Sequence, residues 1–226
     1  MGSERNGRPI NLVIFGAPGS GKGTQADLLA SRLGIPKIST GDILRAAIRE
    51  DTSLGEQAKA AMAAGDLVRE EIVVQIVRER LSKRDADRGF ILDGFPRTVS
   101  QARALDGILH GRGSLIIVEL EVPTWELLRR LESRRVCSRC GRNSSPDAPI
   151  TDVCGVCAGV MMMRGDDADD DVRLYRLDVY VRKTSALLDY YSRRDTFRSV
   201  DGTQPVEQVT ADLTAAIDSA LSHVLT

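Results

Sequence analysis

Ile10-Asn11-Leu12-Val13-Ile14-Phe15, running into Gly16-Ala17-Pro18-Gly19-Ser20-Gly21-Lys22-Gly23-Thr24, is the stretch on which the rest of the chain depends. A short apolar, β-branched run breaks into glycines and a lysine and then opens into a helical pattern, which reads as strand, phosphate-binding loop, helix. Gly16, Gly19 and Gly21 lack a Cβ, so the backbone can take positive φ and bring several N–H groups onto one phosphate chain. Lys22 adds a point charge near the outer phosphates, and the helix opening at Gly23 and Thr24 directs its N-terminal dipole at the same anion. The spacing Gly16-x-x-x-x-Gly21-Lys22 fits the Walker A pattern, except that Gly23 follows the lysine and the hydroxyl arrives one place late, at Thr24. The late hydroxyl argues against direct ligation of Mg²⁺ by the loop.

The 226 residues, 42% of them hydrophobic, are enough for one α/β core and a small insertion. A net charge of −1 removes any general electrostatic pull toward nucleic acid or lipid. No run approaches eighteen apolar residues and the start is polar, so the expectation is a cytoplasmic protein with a flexible extension over residues 1–9.

Along the chain, Leu28, Leu29, Ala30 and Leu33 recur at helical spacing and Gly34 stops the run. A short strand near Lys37 precedes Ser39-Thr40-Gly41-Asp42, which offers N-cap residues to a helix carrying Ile43, Leu44, Ala47 and Ile48. Residues 54–68 are small and helical in pattern, with a break at Gly65-Asp66, and a further helix starts near Glu70. Phe90-Ile91-Leu92-Asp93 is a buried strand ending in a carboxylate, at once followed by Gly94-Phe95-Pro96-Arg97. A strand-end acid beside a phosphate loop can hold the Mg²⁺ hydration shell, and it can equally be a helix cap. Residues 115–120 form another apolar strand; Pro123 opens a helix in which Trp125, Leu127, Leu128 and Leu131 are expected to point inward. A long helix over roughly 171–194, a strand at 197–200 and a last amphipathic helix follow. Strands near residues 10, 37, 90, 115 and 197, separated by helices, predict a five-stranded parallel sheet covered on both faces.

Cys137-x-x-Cys140 and Cys154-x-x-Cys157 supply four soft ligands at a spacing suited to tetrahedral Zn²⁺. Four thiolates fill the coordination shell, so the metal is structural, ordering a segment too polar to own a core. A zinc ribbon that binds nucleic acid is the competing reading; the acidic run 166–171 and the lack of aromatics between the knuckles weigh against it. His110 and His223 stand outside every motif.

The glycine loop, Ser39-Thr40-Gly41-Asp42, Asp93-Gly94-Phe95-Pro96-Arg97 with Gln101, and Arg134-Arg135-Val136 entering the cysteine segment together resemble the adenylate kinases of the nucleoside monophosphate kinase family, in their zinc-containing, long-lid form. The likeness covers nearly the whole chain after residue 9, and in that family the threonine likewise follows the lysine one place late, as Thr24 does. It implies a P-loop NTPase-like α/β core over 10–38, 69–132 and 171–226, a helical AMP-binding insert over 39–68 and a zinc-bound lid over 133–170. It also implies ATP contacts at Gly19, Ser20, Gly21, Lys22, Gly23, Thr24, Arg130, Arg134 and Gln204. AMP contacts are implied at Thr40, Arg45, Asp66, Leu67, Val68, Gly94, Phe95, Pro96, Arg97, Gln101, Arg164 and Arg176, with Arg176 preferred to Arg173 as the second lid-side arginine.

The reaction so implied is Mg²⁺-ATP plus AMP giving two ADP, carried by Lys22, Arg97, Arg130, Arg134, Arg164 and Arg176, with Asp93 organising the waters of Mg²⁺. The expected partners are ATP, AMP and ADP, with neither nucleic acid nor membrane, and the expected state is a monomer. Two readings compete: phosphorylation of GMP, UMP or CMP instead of AMP, and a phosphate-loop switch or ATPase whose zinc segment docks a partner.

Overall fold

The computed structural model describes residues 9–144, 151–167 and 169–223. At its centre is a five-stranded sheet in which every pairing is parallel: β1 (Ile10–Phe15), β2 (Lys37–Ser39), β3 (Gly89–Asp93), β4 (Leu115–Glu121) and β7 (Phe197–Asp201), in the order β2-β3-β1-β4-β7. All six residues of β1 are buried, as a strand covered on both faces requires. Alternation divides them. Val13 and Phe15 pack with Phe90, Leu92, Ile117 and Tyr191 on one face, while Leu12 and Ile14 pack with Leu29, Ile91, Ile116 and Leu213 on the other.

Eight α-helices are described: α1 (Lys22–Leu33), α2 (Thr40–Arg49), α3 (Ser53–Ala64), α4 (Glu70–Leu81), α5 (Val99–Ile108), α6 (Thr124–Ser133), α7 (Asp170–Ser192) and α8 (Val206–His223). Local signals set their ends: Ser39 accepts from the Asp42 N–H, Thr52 from Gly55 and Thr98 from Gln101, while Gly34 and Gly65 close α1 and α3 in the left-handed region. The helical pattern read over 54–68 therefore stops at Ala64, and the chain to Arg69 is not helical.

Register decides where function can sit. Asp93 stands opposite both Ile14 and Ser39, so β1, β2 and β3 end at one level, and the chain switches sides of the sheet about β1. The crevice outside the carboxyl ends at such a switch point is where α/β sheets bind ligands.

Trp125 is a correction. It is 69% exposed, and the buried residues of α6 are Glu126, Leu127, Arg130 and Leu131. At about 100° per residue Trp125 falls on the side of α6 opposite Leu127 and Leu131, and the buried stripe includes two charged residues that an apolar-only reading passes over. The cysteine segment contains a ribbon that periodicity did not show, β5 (Arg135–Cys137) antiparallel to β6 (Met161–Met163). Of the expected N-terminal extension, 1–8 lies outside the described residues, as do 145–150 of the cysteine segment and Ala168 within the acidic run.

Candidate active site

The loop between β1 and α1 is shaped by its glycines. A Cβ on Gly16 would stand 2.3 Å from Ser20 Oγ, and Gly21 caps α1 with φ of 91° and no side-chain hydrogen bond, leaving the first N–H groups of the helix to another acceptor. Ser20 Oγ is buried with no hydrogen-bond partner among the described residues. The Lys22 ammonium donates to the Ala17 carbonyl at 3.1 Å. Its desolvation at the floor of the cleft, opposed by Asp93 and reinforced by Arg97, Arg134 and Arg164, pushes Lys22 down to about 7.

The end of β3 faces this loop. Asp93 is buried, and its Oδ2 lies 3.5 Å from where a Cβ on Gly23 would be, which puts the carboxylate against the start of α1. Thr40 Oγ1 and Arg97 Nε both donate to the Gly94 carbonyl, at 3.0 and 2.9 Å. The Arg97 N–H donates to Gln101 Oε1 at 2.8 Å, so the amide of this buried glutamine has its oxygen occupied and its NH₂ left to donate.

The cleft bounded by these elements opens to solvent and is walled by the phosphate loop, the end of β3 and residues of α2, α6 and α7. Among the described residues, nine cationic side chains line it against two carboxylates, Asp42 and Asp93, and Asp42 is paired with Arg45. A second recess adjoins it, with Leu44, Met62, Leu67, Val68, Val73 and Gln101 in its walls. Arg45, Arg97, Arg164 and Arg176 line both spaces.

Asp167 is the residue that the motifs missed. It is fully buried and pairs with Arg134, whose Nε lies 2.6 Å away, with Arg176, and with Arg164 at 3.8 Å. One carboxylate thus gathers three arginines at the cleft wall. Arg173 donates to the Asp167 carbonyl and pairs with Asp170; it is Arg176 that lines the cleft. The only sequence signal for Asp167 is its place three residues after Arg164, inside an acidic run that gives no hint which member is buried. Lys37, Tyr180 and Lys183 also line the cleft without having been anticipated.

One expected residue lies elsewhere: Phe95 is buried in the core under β3. The Ser20 side chain is buried under the loop, so its expected contact falls to its backbone. The contact expected at Gln204 is likewise through its backbone; its side chain donates to Asp212 and to the Asp201 carbonyl, in the turn after β7 whose Gly202 stands against the backbone of Ser20. Asp66 lines the adjoining recess and accepts from Tyr175 Oη at 2.7 Å.

The four cysteine Sγ atoms all lie within 4.8 Å of one another, with Cys137 to Cys157 at 3.4 Å and Cys140 to Cys154 at 3.7 Å. A tetrahedron with Zn–S bonds of about 2.3 Å has edges of about 3.8 Å, so the donor set fits Zn²⁺. Backbone N–H groups of Arg139 and Cys140 point at Cys137 Sγ, as they do around a thiolate in a metal knuckle. Between Arg135 and Met163, Cys137 and Cys154 are the only buried residues among those described; Val153, Val156, Val160 and Met162 are exposed.

A glycine loop feeding a bare helix N-terminus, at the switch point of a parallel sheet and beneath a wall of arginines, defines a phosphate-loop protein of the nucleotide-binding class. A family model described as adenylate kinase matches residues 14–196. The chain belongs to the adenylate kinase family. It is 50% identical to the adenylate kinase of Geobacter sp. strain M21 over 92% of this chain and 99% of that protein. It is 47% identical to that of Acidothermus cellulolyticus, over 92% of this chain and 98% of that protein, and 46% identical to that of Geobacillus sp. strain WCH70, over 90% and 96%.

Proposed function

We propose that this chain transfers the terminal phosphoryl group of Mg-ATP to AMP, giving two ADP, and runs the reaction in both directions. The observation that carries the reading is the set of arginines shared by the phosphate-loop cleft and the adjoining recess, because a phosphoryl group passing from one ligand to the other must cross that junction. The bond from the γ-phosphorus to the β,γ-bridging oxygen breaks as an oxygen of the AMP phosphate bonds to the same phosphorus. The AMP phosphate is ionised at neutral pH and loses no proton, so alignment and charge are what the protein has to provide.

On this reading the backbone of Gly19 to Thr24 and Lys22 hold the β- and γ-phosphates, with Arg130 and Arg134 beside them. Arg97, Arg164 and Arg176 follow the phosphoryl group across the junction, where charge spread over its equatorial oxygens is greatest. Thr40, Arg45, Asp66, Leu67, Val68, Gly94 and Pro96 surround the acceptor, residues 39–68 acting as the AMP insert and 133–170 as the lid over ATP. Asp93 suits Mg²⁺ as a hard oxygen donor not claimed by an arginine pair, and would hold the ion through its water shell; the ion screens the phosphate charge. Zn²⁺ on Cys137, Cys140, Cys154 and Cys157 is structural. Each chain carries a whole cleft, which supports a monomer, and four cysteines grouped to hold a metal suit a reducing cytoplasm.

Gln101 would read the base. With Oε1 held by Arg97, its NH₂ donates to an acceptor on the base edge, and replacing it leaves adenine and its competitors distinguished by shape alone. A coupled assay with ATP and each monophosphate in turn tests the reading: ADP forms rapidly with AMP and slowly with GMP, CMP or UMP, and Gln101→Ala raises KM for AMP and narrows that preference. ATP consumption that does not depend on any monophosphate would sink it.

A further inference from the structure

We propose that Glu126 is a positioning residue for phosphoryl transfer, holding Arg130 so that its terminal nitrogens face the phosphate loop. The inference rests on the reading of Arg130 as an ATP-phosphate contact. Glu126 and Arg130 lie one turn apart on the buried face of α6, at 5% and 8% exposure, beside Leu127 and Leu131. A carboxylate in that setting is costly unless both oxygens are satisfied. They are: Oε1 accepts from Arg130 Nε at 2.6 Å and from Arg129 Nη2 at 2.7 Å, and Oε2 accepts from Arg129 Nε at 2.7 Å. Hydrogen bonds from Arg129 and then Arg130, against the opposing effect of burial, hold the carboxyl down to about 2, so it is ionised at any pH at which a kinase would be assayed.

The consequence lies in which nitrogens are engaged. With Nε fixed toward the helix, the outer end of the Arg130 guanidinium is directed at the cleft, and its Nη1 comes within 3.9 Å of the place where a Cβ on Gly21 would stand. A single glutamate against a single arginine would cancel the charge meant for phosphate. Arg129, half-exposed and outside the cleft wall, makes the trio net positive, so Arg130 is both oriented and still charged toward the ligand.

The test is a double-mutant cycle on kcat, with KM for AMP and melting temperature measured on the same proteins. Glu126→Gln keeps one acceptor and Glu126→Met, of similar volume, keeps none; kcat is expected to fall about tenfold in the first and further in the second, with KM for AMP within about twofold of the parent. In an Arg130→Met background the same two changes should move kcat by less than about twofold, because there is no guanidinium left to orient. Equal losses in both backgrounds would mean that Glu126 only supports α6, and no loss in either would mean that Arg130 orients itself; both overturn the proposal while leaving Arg130 as an ATP contact. Arg130→Met alone with near-parental kcat would overturn the parent reading of Arg130, and the role of Glu126 with it.

Discussion

At Arg97 a single side chain serves two purposes: its Nε–H holds the Gly94 carbonyl while its guanidinium lines both spaces of the cleft. Removing a donor aimed at developing charge costs about 10²–10³ in kcat, so Arg97→Ala should lose two to three orders of magnitude of turnover while remaining folded. Retention of more than about a tenth of parental kcat in a coupled assay would remove Arg97 from the transfer step. Lys22 makes a different prediction. Held at about 7 by desolvation instead of 10.5, it is mostly neutral at pH 8.5 in the free protein. A triphosphate favours the ammonium and raises the pKa, so binding takes up protons above pH 7, and the uptake fades once the pH falls below about 6, where Lys22 is already charged. Calorimetry of ATP binding at pH 8.5 in buffers of different ionisation enthalpy should show a fraction of a proton taken up, and Lys22→Met should abolish it; equal heats across buffers for the parent would refute the shift.

At the level of elements, the cysteine ribbon has no buried valine, leucine, isoleucine, methionine or aromatic among its described residues. Among those residues its buried side chains are Cys137 and Cys154, while Val136 and Met161 are half-buried and Val153, Val156, Val160, Met162 and Met163 are exposed. Structural zinc is worth about 10–16 kcal/mol in small zinc peptides, and where no core exists that energy is folding energy. Chelation, or Cys154→Ser, should therefore melt the β5–β6 ribbon separately while the parallel sheet persists. About one zinc per chain is expected, and calorimetry should resolve a low-temperature transition in the stripped protein. Kinase activity should fall with the ribbon, because β5 follows directly on Arg134 and β6 ends next to Arg164, both of which meet Asp167. Unchanged melting and full activity in metal-free protein would leave the four thiols without this role.

For the whole molecule the informative contact joins parts distant in sequence: Tyr175 Oη on α7 donates to Asp66 just past α3, and a Cβ on Gly65 would meet the Arg176 side chain at 2.7 Å. The edge of the proposed AMP insert thus rests against the helix that carries a cleft arginine. A hydrogen bond of this kind contributes about 0.5–1.5 kcal/mol. Tyr175→Phe should raise KM for AMP by about two- to tenfold, while kcat holds or rises, since product release requires the two parts to separate. A fall in kcat at constant KM, in steady-state kinetics, would contradict this.

By itself the sequence determined what is local. The run from Ile10 to Thr24 specified a strand, a turn only glycine can make and a helix start; Asp93 to Arg97 and the paired cysteines likewise carry their chemistry at fixed spacing, and residue-scale sterics and ligand geometry do not wait for the rest of the chain. The inner strands β1, β3 and β4 were legible because strands covered on both faces are apolar at nearly every position, whereas the edge strands β2 and β7 carry polar residues and show only in the turns and helices around them. Tertiary structure decided which side of α6 is buried, setting Trp125 in solvent and Glu126 against Arg130, because two charges that satisfy each other can occupy a buried stripe that periodicity reserves for apolar residues. It likewise buried Asp167, out of an acidic run, within reach of Arg134, Arg164 and Arg176. Pairing between residues 33 positions apart, such as Arg134 and Asp167, depends on where β5, β6 and α7 have already been placed, and no local pattern contains that distance.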